Sequence, residues 1–269
     1  MRLTEIKKYF HIYKITVKYS VINAMAYRTS FLIELFVEVG YQLLGIVFFG
    51  VLYGNISSLG GWTYYEMMLL LGIDIIVSEL IVGFSFALNI NHLSDKIRDG
   101  QFDLILTKPI SSLFNATLSQ PYISSFISTI PGIVLVGISL SNLDIDLKFI
   151  NLIGGILLIL SGVLIAYFFM VIVSSLCFIW VGASSLPRFS THILFAFSDK
   201  PYSIYKGVSK VILYTVVPAV FLSSVPSSVI LGIGNRYLII LSFIICIVLY
   251  YFSRYMWNKM IGYYSSASS

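Results

Sequence analysis

The stretch FLIELFVEVGYQLLGIVFFGVLY, residues 31–53, contains no Lys or Arg. Spanning the hydrocarbon of a bilayer takes about 20 predominantly apolar residues, so this stretch alone is long enough to cross. Further apolar runs follow at 64–90, at 113–140 with Pro121 and Pro131 inside it, at 149–181, at 208–233 with Pro218 and Pro226, and between Arg236 and Arg254. The whole chain agrees with them. Its 269 residues are 58% hydrophobic and 11% charged, with a mean hydropathy of +0.92. A soluble domain carries about 45–50% apolar and about 25% charged residues, so soluble and disordered chains are both excluded. A membrane barrel would show short alternating segments rather than long continuous runs, which leaves helices to satisfy the backbone in lipid. The sequence predicts an all-α polytopic membrane protein with six transmembrane helices.

The basic residues give these crossings a direction. With 208–233 as the fifth crossing, Lys and Arg divide fifteen to two between alternate loops. Arg2, Lys7, Lys8, Lys14, Lys18 and Arg28 precede the first run, and the segments 91–112 and 182–210 and the tail are also basic. The other side holds only Lys148 and Arg236. This is the positive-inside pattern, with both termini in the cytoplasm. It accounts for the net charge of +5 and the pI near 9.0 through anionic lipid headgroups, without nucleic acid.

The N-terminal segment does not read as a cleavable signal, which has a short charged region and about 7–15 apolar residues. Leu3, Ile6, Phe10, Tyr13 and Val17 recur at helical spacing, flanked by Lys7, Lys14 and Lys18. Residues 1–28 therefore predict an amphipathic helix on the membrane surface, the alternative being a loosely ordered basic tail. No internal repeat is evident, and the longest polar segment, about 91–112, is too short for a catalytic domain.

The residues of enzymatic chemistry do not assemble. The chain has no G-x-x-x-x-G-K-[ST] to cradle nucleotide phosphates. His11, His92 and His192 lie in separate segments and fit no H-E-x-x-H pattern, and no G-x-S-x-G is paired with a His. Asp99-Gly100 lacks the further aspartates of a metal-dependent lipid phosphotransferase. Cys177 and Cys246 sit inside apolar runs as small packing residues. The expectation is a chain with no catalytic residue, no metal site and no cofactor of its own.

The informative loop lies between the second and third runs. Ser94 or Asp95 can cap a short helix there and Gly100 can end it. Leu93 and Ile97 share one face, and Asp95, Lys96, Arg98 and Asp99 cover the rest. Phe102, Leu104 and Leu106 form a second apolar cluster, stopped by Pro109. A short helix with an apolar ridge and a charged rim suits a groove on another protein. The alternative is a loop helix dipping into headgroups.

The segment Lys96-Ile-Arg-Asp-Gly-Gln-Phe-Asp-Leu-Ile-Leu-Thr-Lys-Pro109 resembles the loop signature of type-2 export permeases of ATP-binding-cassette (ABC) transporters. Phe178-Ile-Trp-Val181, Pro201-Tyr-Ser-Ile-Tyr205, Val217-Pro-Ala-Val-Phe221 and Tyr263-Tyr-Ser-Ser-Ala-Ser268 agree in order and spacing, so the resemblance covers nearly the whole chain. It implies that residues 1–28 are a connecting helix and that 29–269 form a six-span permease domain with a coupling loop at 91–112. Asp95, Ile97, Arg98, Gly100, Phe102 and Asp103 would then couple to a separate ATPase. The partners implied are two ABC ATPase subunits carrying ATP and Mg, and a second permease chain, identical or sibling. The setting implied is a prokaryotic cell membrane.

The resemblance also bears on the fifth crossing. Type-2 permeases often place a re-entrant hairpin before the last span. Here the fifth span would be about 182–199 and the re-entrant region 200–236. Against this, 182–199 holds Arg188 and His192, and the charge division falls to twelve against five. The paired prolines and the overlong fourth run favour it, since broken helices at membrane depth occur where protein covers them.

Glu34 and Glu38 lie one turn apart in the first run, and Asp74 and Glu79 lie within the second, with Glu66 near its outer end. An acid at the centre of a spanning helix costs about 2.5–3.5 kcal/mol. These four would line a path for an amphipathic, cationic cargo. Alternatively Glu34 reaches the interface and the others are protonated or bonded to partner side chains. Two other functions compete with an exporter of a drug, peptide or lipid-like molecule. One is a proton-driven secondary transporter, although the two related halves usual for that class are not visible. The other is a non-transporting sensor or immunity subunit.

Overall fold

The computed structural model describes residues 3–84, 86–143, 148–180, 184–235 and 237–264. The Arg236 boundary, the Val181 and Gly182 positions, and the 265–268 part of the tail motif lie outside them. Every regular element among the described residues is helical.

The amphipathic N-terminal segment is one helix, α1 (Leu3–Ala26), separated by Tyr27 from α2 (Arg28–Tyr53). Its faces differ from the sequence reading. Tyr9 and Tyr13 turn inward against Phe114 and Phe84, whereas Phe10 is 72% exposed and Ile6 is also exposed. The tyrosines find aromatic neighbours on the bundle, which leaves the aliphatic stripe free to meet lipid. Burial pushes the Tyr13 hydroxyl up to about 12.

The second run does not continue as one helix. It divides into α3 (Tyr64–Gly83) and α4 (Phe86–Asn91). Glu66 starts α3 by accepting from the Thr63 backbone N–H (2.7 Å) and hydroxyl (2.9 Å), which satisfies orphan donors at the helix end. The loop gives α5 (Leu93–Arg98) and α6 (Gln101–Leu106). Of the two prolines in the third run, Pro121 breaks it outright, whereas before Pro131 the backbone stays helical through Thr129 and Ile123–Asn142 remains one stretch. The run becomes α7 (Ser112–Leu118), α8 (Ile123–Ser128) and α9 (Ile130–Asn142), with Pro131 in the first turn of α9, where no amide hydrogen is needed. The fourth run is α10 (Phe149–Ser175), extended by a 3-10 turn to Phe178. Then come α11 (Leu186–Ser198), α12 (Gly207–Thr215), α13 (Ser224–Ile230) and α14 (Tyr237–Ile261).

Four helical stretches are long and apolar enough to cross a membrane: Arg28–Tyr53, Ile123–Asn142, Phe149–Phe178 and Tyr237–Ile261. A fifth is added if Gly207–Thr215 and Ala219–Ile230, bent by 66°, count as one. The 208–233 run is therefore no straight crossing, because Pro218 stands at the bend. At 20 residues, α3 has the length of a span, about 30 Å, but carries Glu66, Asp74 and Glu79. It also occupies the centre of the bundle, with Met67 to Ile73 all buried.

Two ends of the molecule can be told apart by contacts. Arg188 at the start of α11 pairs with Asp95 of α5 at 3.6 Å. Beyond the other end of α11, Ser203 donates to the Gly60 carbonyl in the 54–63 turn at 2.6 Å. Past α13, Gly232 lies against Asn151 at the start of α10. Segment 203–232 thus leaves and returns at the end of the bundle opposite α5. All of α13 is buried, packed against α3 and α10. A Cβ on Gly162 of α10 would stand 2.6 Å from the Phe221 carbonyl oxygen, so the glycine lets this irregular backbone reach the helix.

The same device joins α3 to α9. A Cβ on Gly72 would meet the Gly132 carbonyl oxygen at 2.9 Å, and one on Gly132 would meet the Gly72 oxygen at 2.8 Å. In lipid, close backbone approach is what small residues contribute to helix pairing. Gly132→Leu is expected to lower stability by about 1–3 kcal/mol or more, because neither backbone can yield. Gly137→Leu on the same helix, where nothing lies within 4 Å, should leave it unchanged. Thermal denaturation in detergent compares the two.

Candidate functional site

The α5–α6 loop is held from inside. Gly100 joins its two short helices at φ +71°, a left-handed conformation that glycine adopts without a Cβ clash. This turns Leu93, Ile97, Phe102 and Ile105 to one side, where all four are buried. Phe102 inserts among Phe178, Tyr264 and Trp257 at centroid distances of 4.9, 5.2 and 6.3 Å. Ile97 and Phe102, read from the sequence as part of a docking ridge, therefore face this chain's own core. Phe102 and Ile105, three apart, share the inner face, which leaves Leu104 67% exposed and Leu106 also outward. Burial, and then the nearby Asp103 carboxylate, push the Tyr264 phenol up.

The outer face is a charged lattice. Asp95 is approached by His92 (3.8 Å), Arg98 (3.5 Å) and Arg188 (3.6 Å), and Arg98 also pairs with Asp99 at 3.0 Å. Arg98 is 60% exposed at its side chain, and the neighbouring Asp99 and Asp95 push its already high value up. Burial, helped by Lys108, pushes the Lys96 amine down. The loop is also tied to α1: Lys8 Nζ donates to the Pro109 carbonyl at 2.9 Å, and the Ser111 N–H donates to Tyr9 Oη at 3.0 Å. Nothing in the sequence pairs residues so far apart.

The four acids separate into three settings. Glu38 Oε2 accepts from Ser128 Oγ at 2.7 Å, while Gln42 Nε2 donates to Glu79 Oε1 at 2.7 Å and to the Ser128 carbonyl at 3.1 Å. Glu38 and Glu79 thus form one cluster spanning α2, α3 and α8. Gln42 and Ser128, uncharged in apolar runs, gave no signal of this role. Asp74 lies elsewhere, half-buried, near Ser198, Ser223 and the Asp199–Lys200 pair. Glu34 lies beside the Tyr122 phenol and lines a crevice of about 900 Å³ between α1, α2 and the loop. Among the described residues no three His, Cys, Asp or Glu side chains come together to hold a metal.

A profile of the family described as ABC-2 family transporter protein matches residues 39–268. The chain belongs to that family. No curated protein and no solved structure matches it. As an ABC-2 member the chain is a membrane permease subunit without its own ATPase site, and it associates with ABC ATPase partners. The match begins inside α2, so α1 falls outside it.

Removing Phe102 should loosen the whole loop. Phe102→Ala is expected to cost about 3–5 kcal/mol and to expose the indole of Trp257, read as a lower melting temperature with a red-shifted tryptophan emission.

Proposed function

We propose that this chain is the permease of an ATP-driven exporter, and that the outer face of α5–α6 receives the motion of the ATPase. One observation carries the reading. The family loop motif presents Arg98, Asp99, Leu104 and Leu106 outward from a seat fixed by Phe102. A lever needs both parts: a face that a partner can grip and an anchor that does not yield. Asp95 braces it through Arg188. The clamp of Lys8 and Tyr9 to residues 109–111 links the same motion to α1.

In this reading the chain crosses a prokaryotic cell membrane six times, with both termini in the cytoplasm. The crossings are α2, α3, α8–α9, α10, α11 and α14, and the 200–236 segment is re-entrant. Support comes from the contacts of Ser203 and Gly232 at the end away from α5 and from the burial of α13, since irregular backbone at membrane depth needs protein around it. ATP and Mg bind two partner ATPases, and a second permease chain completes the path. The cargo is an amphipathic molecule moved by alternating access, past acids that include Glu34, Glu38, Asp74 and Glu79.

A proton-driven carrier is the second reading. It is favoured by Glu38 and Glu79 sharing a half-buried cluster that forms no ion pair among the described residues. The two readings part in one experiment. An affinity-tagged chain should retain an ABC ATPase on purification, and Arg98→Glu should cut the amount retained by about tenfold, the scale of a lost charge pair. Transport in vesicles should need ATP and survive a protonophore. No retained ATPase, or transport abolished by the protonophore alone, would favour the carrier.

A further inference from the structure

The crevice beside α1 has a sign and a chemistry. Glu34 lies in it, and Tyr19, Tyr27, Phe31 and Tyr122 stand along its walls. The acids on the far rim are neutralised, because Asp95 pairs with Arg98 and Arg188, and Asp99 with Arg98. Glu34 forms no ion pair among the described residues and lies beside the Tyr122 phenol. His92 and Lys96 also line the crevice, on the α5 side. There His92 lies beside Asp95, and Lys96 is the one Lys or Arg of the lining among the described residues. On the side of α1 and α2, Glu34 is a carboxylate outside any ion pair among the described residues, with aromatic residues around it. This combination recognises an ammonium group, through charge and through the negative faces of the rings. The volume, about 900 Å³, falls in the range of small-molecule sites. Beside it, Leu32, Ile33 and Phe36 of α2 and Ile22 and Met25 of α1 are exposed, an apolar surface along which an alkyl tail can lie.

We propose that this crevice receives the quaternary ammonium headgroup of a cationic amphiphile from the leaflet beside α1, with Glu34 as counter-ion and Tyr122, Tyr27 and Phe31 as aromatic walls. The proposal rests on the permease reading and narrows it. Glu34 meets the cargo, whereas Glu38 and Glu79 are committed to Gln42 and Ser128. The crevice is bounded by α1 and α5, which are clamped together through the 109–111 segment, so motion of the loop changes its shape.

The test uses the complete complex in nanodiscs without nucleotide. Three fluorescent probes of equal chain length are titrated below their micellar concentrations: an octyltrimethylammonium, the neutral alcohol and the phosphocholine. Anisotropy should show the ammonium probe binding at least about tenfold tighter than the other two. Glu34→Gln should erase that preference and leave alcohol binding unchanged, and Glu34→Asp should keep most of it. Ala24→Trp, which fills the crevice, should abolish binding of the ammonium probe. Equal binding of all three probes to the wild type, or an undiminished preference in both Glu34→Gln and Ala24→Trp, overturns the proposal. Absence of an ATPase from the purified complex is a separate result. It removes the permease coupling, while a Glu34-dependent ammonium preference would still uphold the crevice as a cation site.

Discussion

A short loop can carry force only if something keeps it from folding away, and here that something is Phe102. Its ring sits fully buried among Phe178, Trp257 and Tyr264. These come from the end of α10, from α14 and from the segment after it. The contact therefore joins the loop after the second run to the last helix of the chain. Arg188 reaching Asp95 adds α11, and Tyr9 and Lys8 add α1. A displacement of the loop is passed to four other parts of the bundle through packed side chains, whose close packing transmits strain instead of absorbing it.

The rest of the bundle follows from the absence of water. Helices in lipid gain little from burying apolar surface against one another, so they associate through close backbone approach and polar bonds. Gly72 against Gly132 and Gly162 against Phe221 are the first kind. Ser161 to Ser242 at 2.7 Å, joining α10 and α14, is the second. The acids obey the same rule. Glu38 and Glu79 have hydrogen-bond partners at depth, Glu66 caps its own helix, and Glu34, near the start of α2, keeps an open face.

Much of the fold was legible because hydropathy and length dictate it. The apolar runs that became α2, α10 and α14 needed no tertiary information. The runs that broke did so at sites where the sequence holds competing signals. Pro121 and Pro131 look alike in the chain, yet it is the one without a helix start to occupy that breaks the run outright. The bend at Pro218 was visible as a proline, but its fate depended on Gly162 being opposite it. The loop was legible as a motif and misread in orientation. Phe102, Leu104 and Leu106 look like one apolar cluster until Gly100 sets the phase of α6. Gln42 and Ser128 carry no signal at all, since their importance exists only beside Glu38 and Glu79. The crevice was likewise invisible, being made by residues from 16 to 124.

The most direct measurement is a cross-link from the loop's outer face. Cys177 and Cys246 are buried, so a single introduced thiol, Leu104→Cys, can be addressed in native membranes with a bifunctional reagent and its products read by mass spectrometry. The account predicts attachment to a nucleotide-hydrolysing subunit, with Asn55→Cys, at the other end of the bundle, giving none. A Leu104→Cys thiol that reacts with a membrane-impermeant reagent from outside the cell, or that never joins an ATPase, would contradict it.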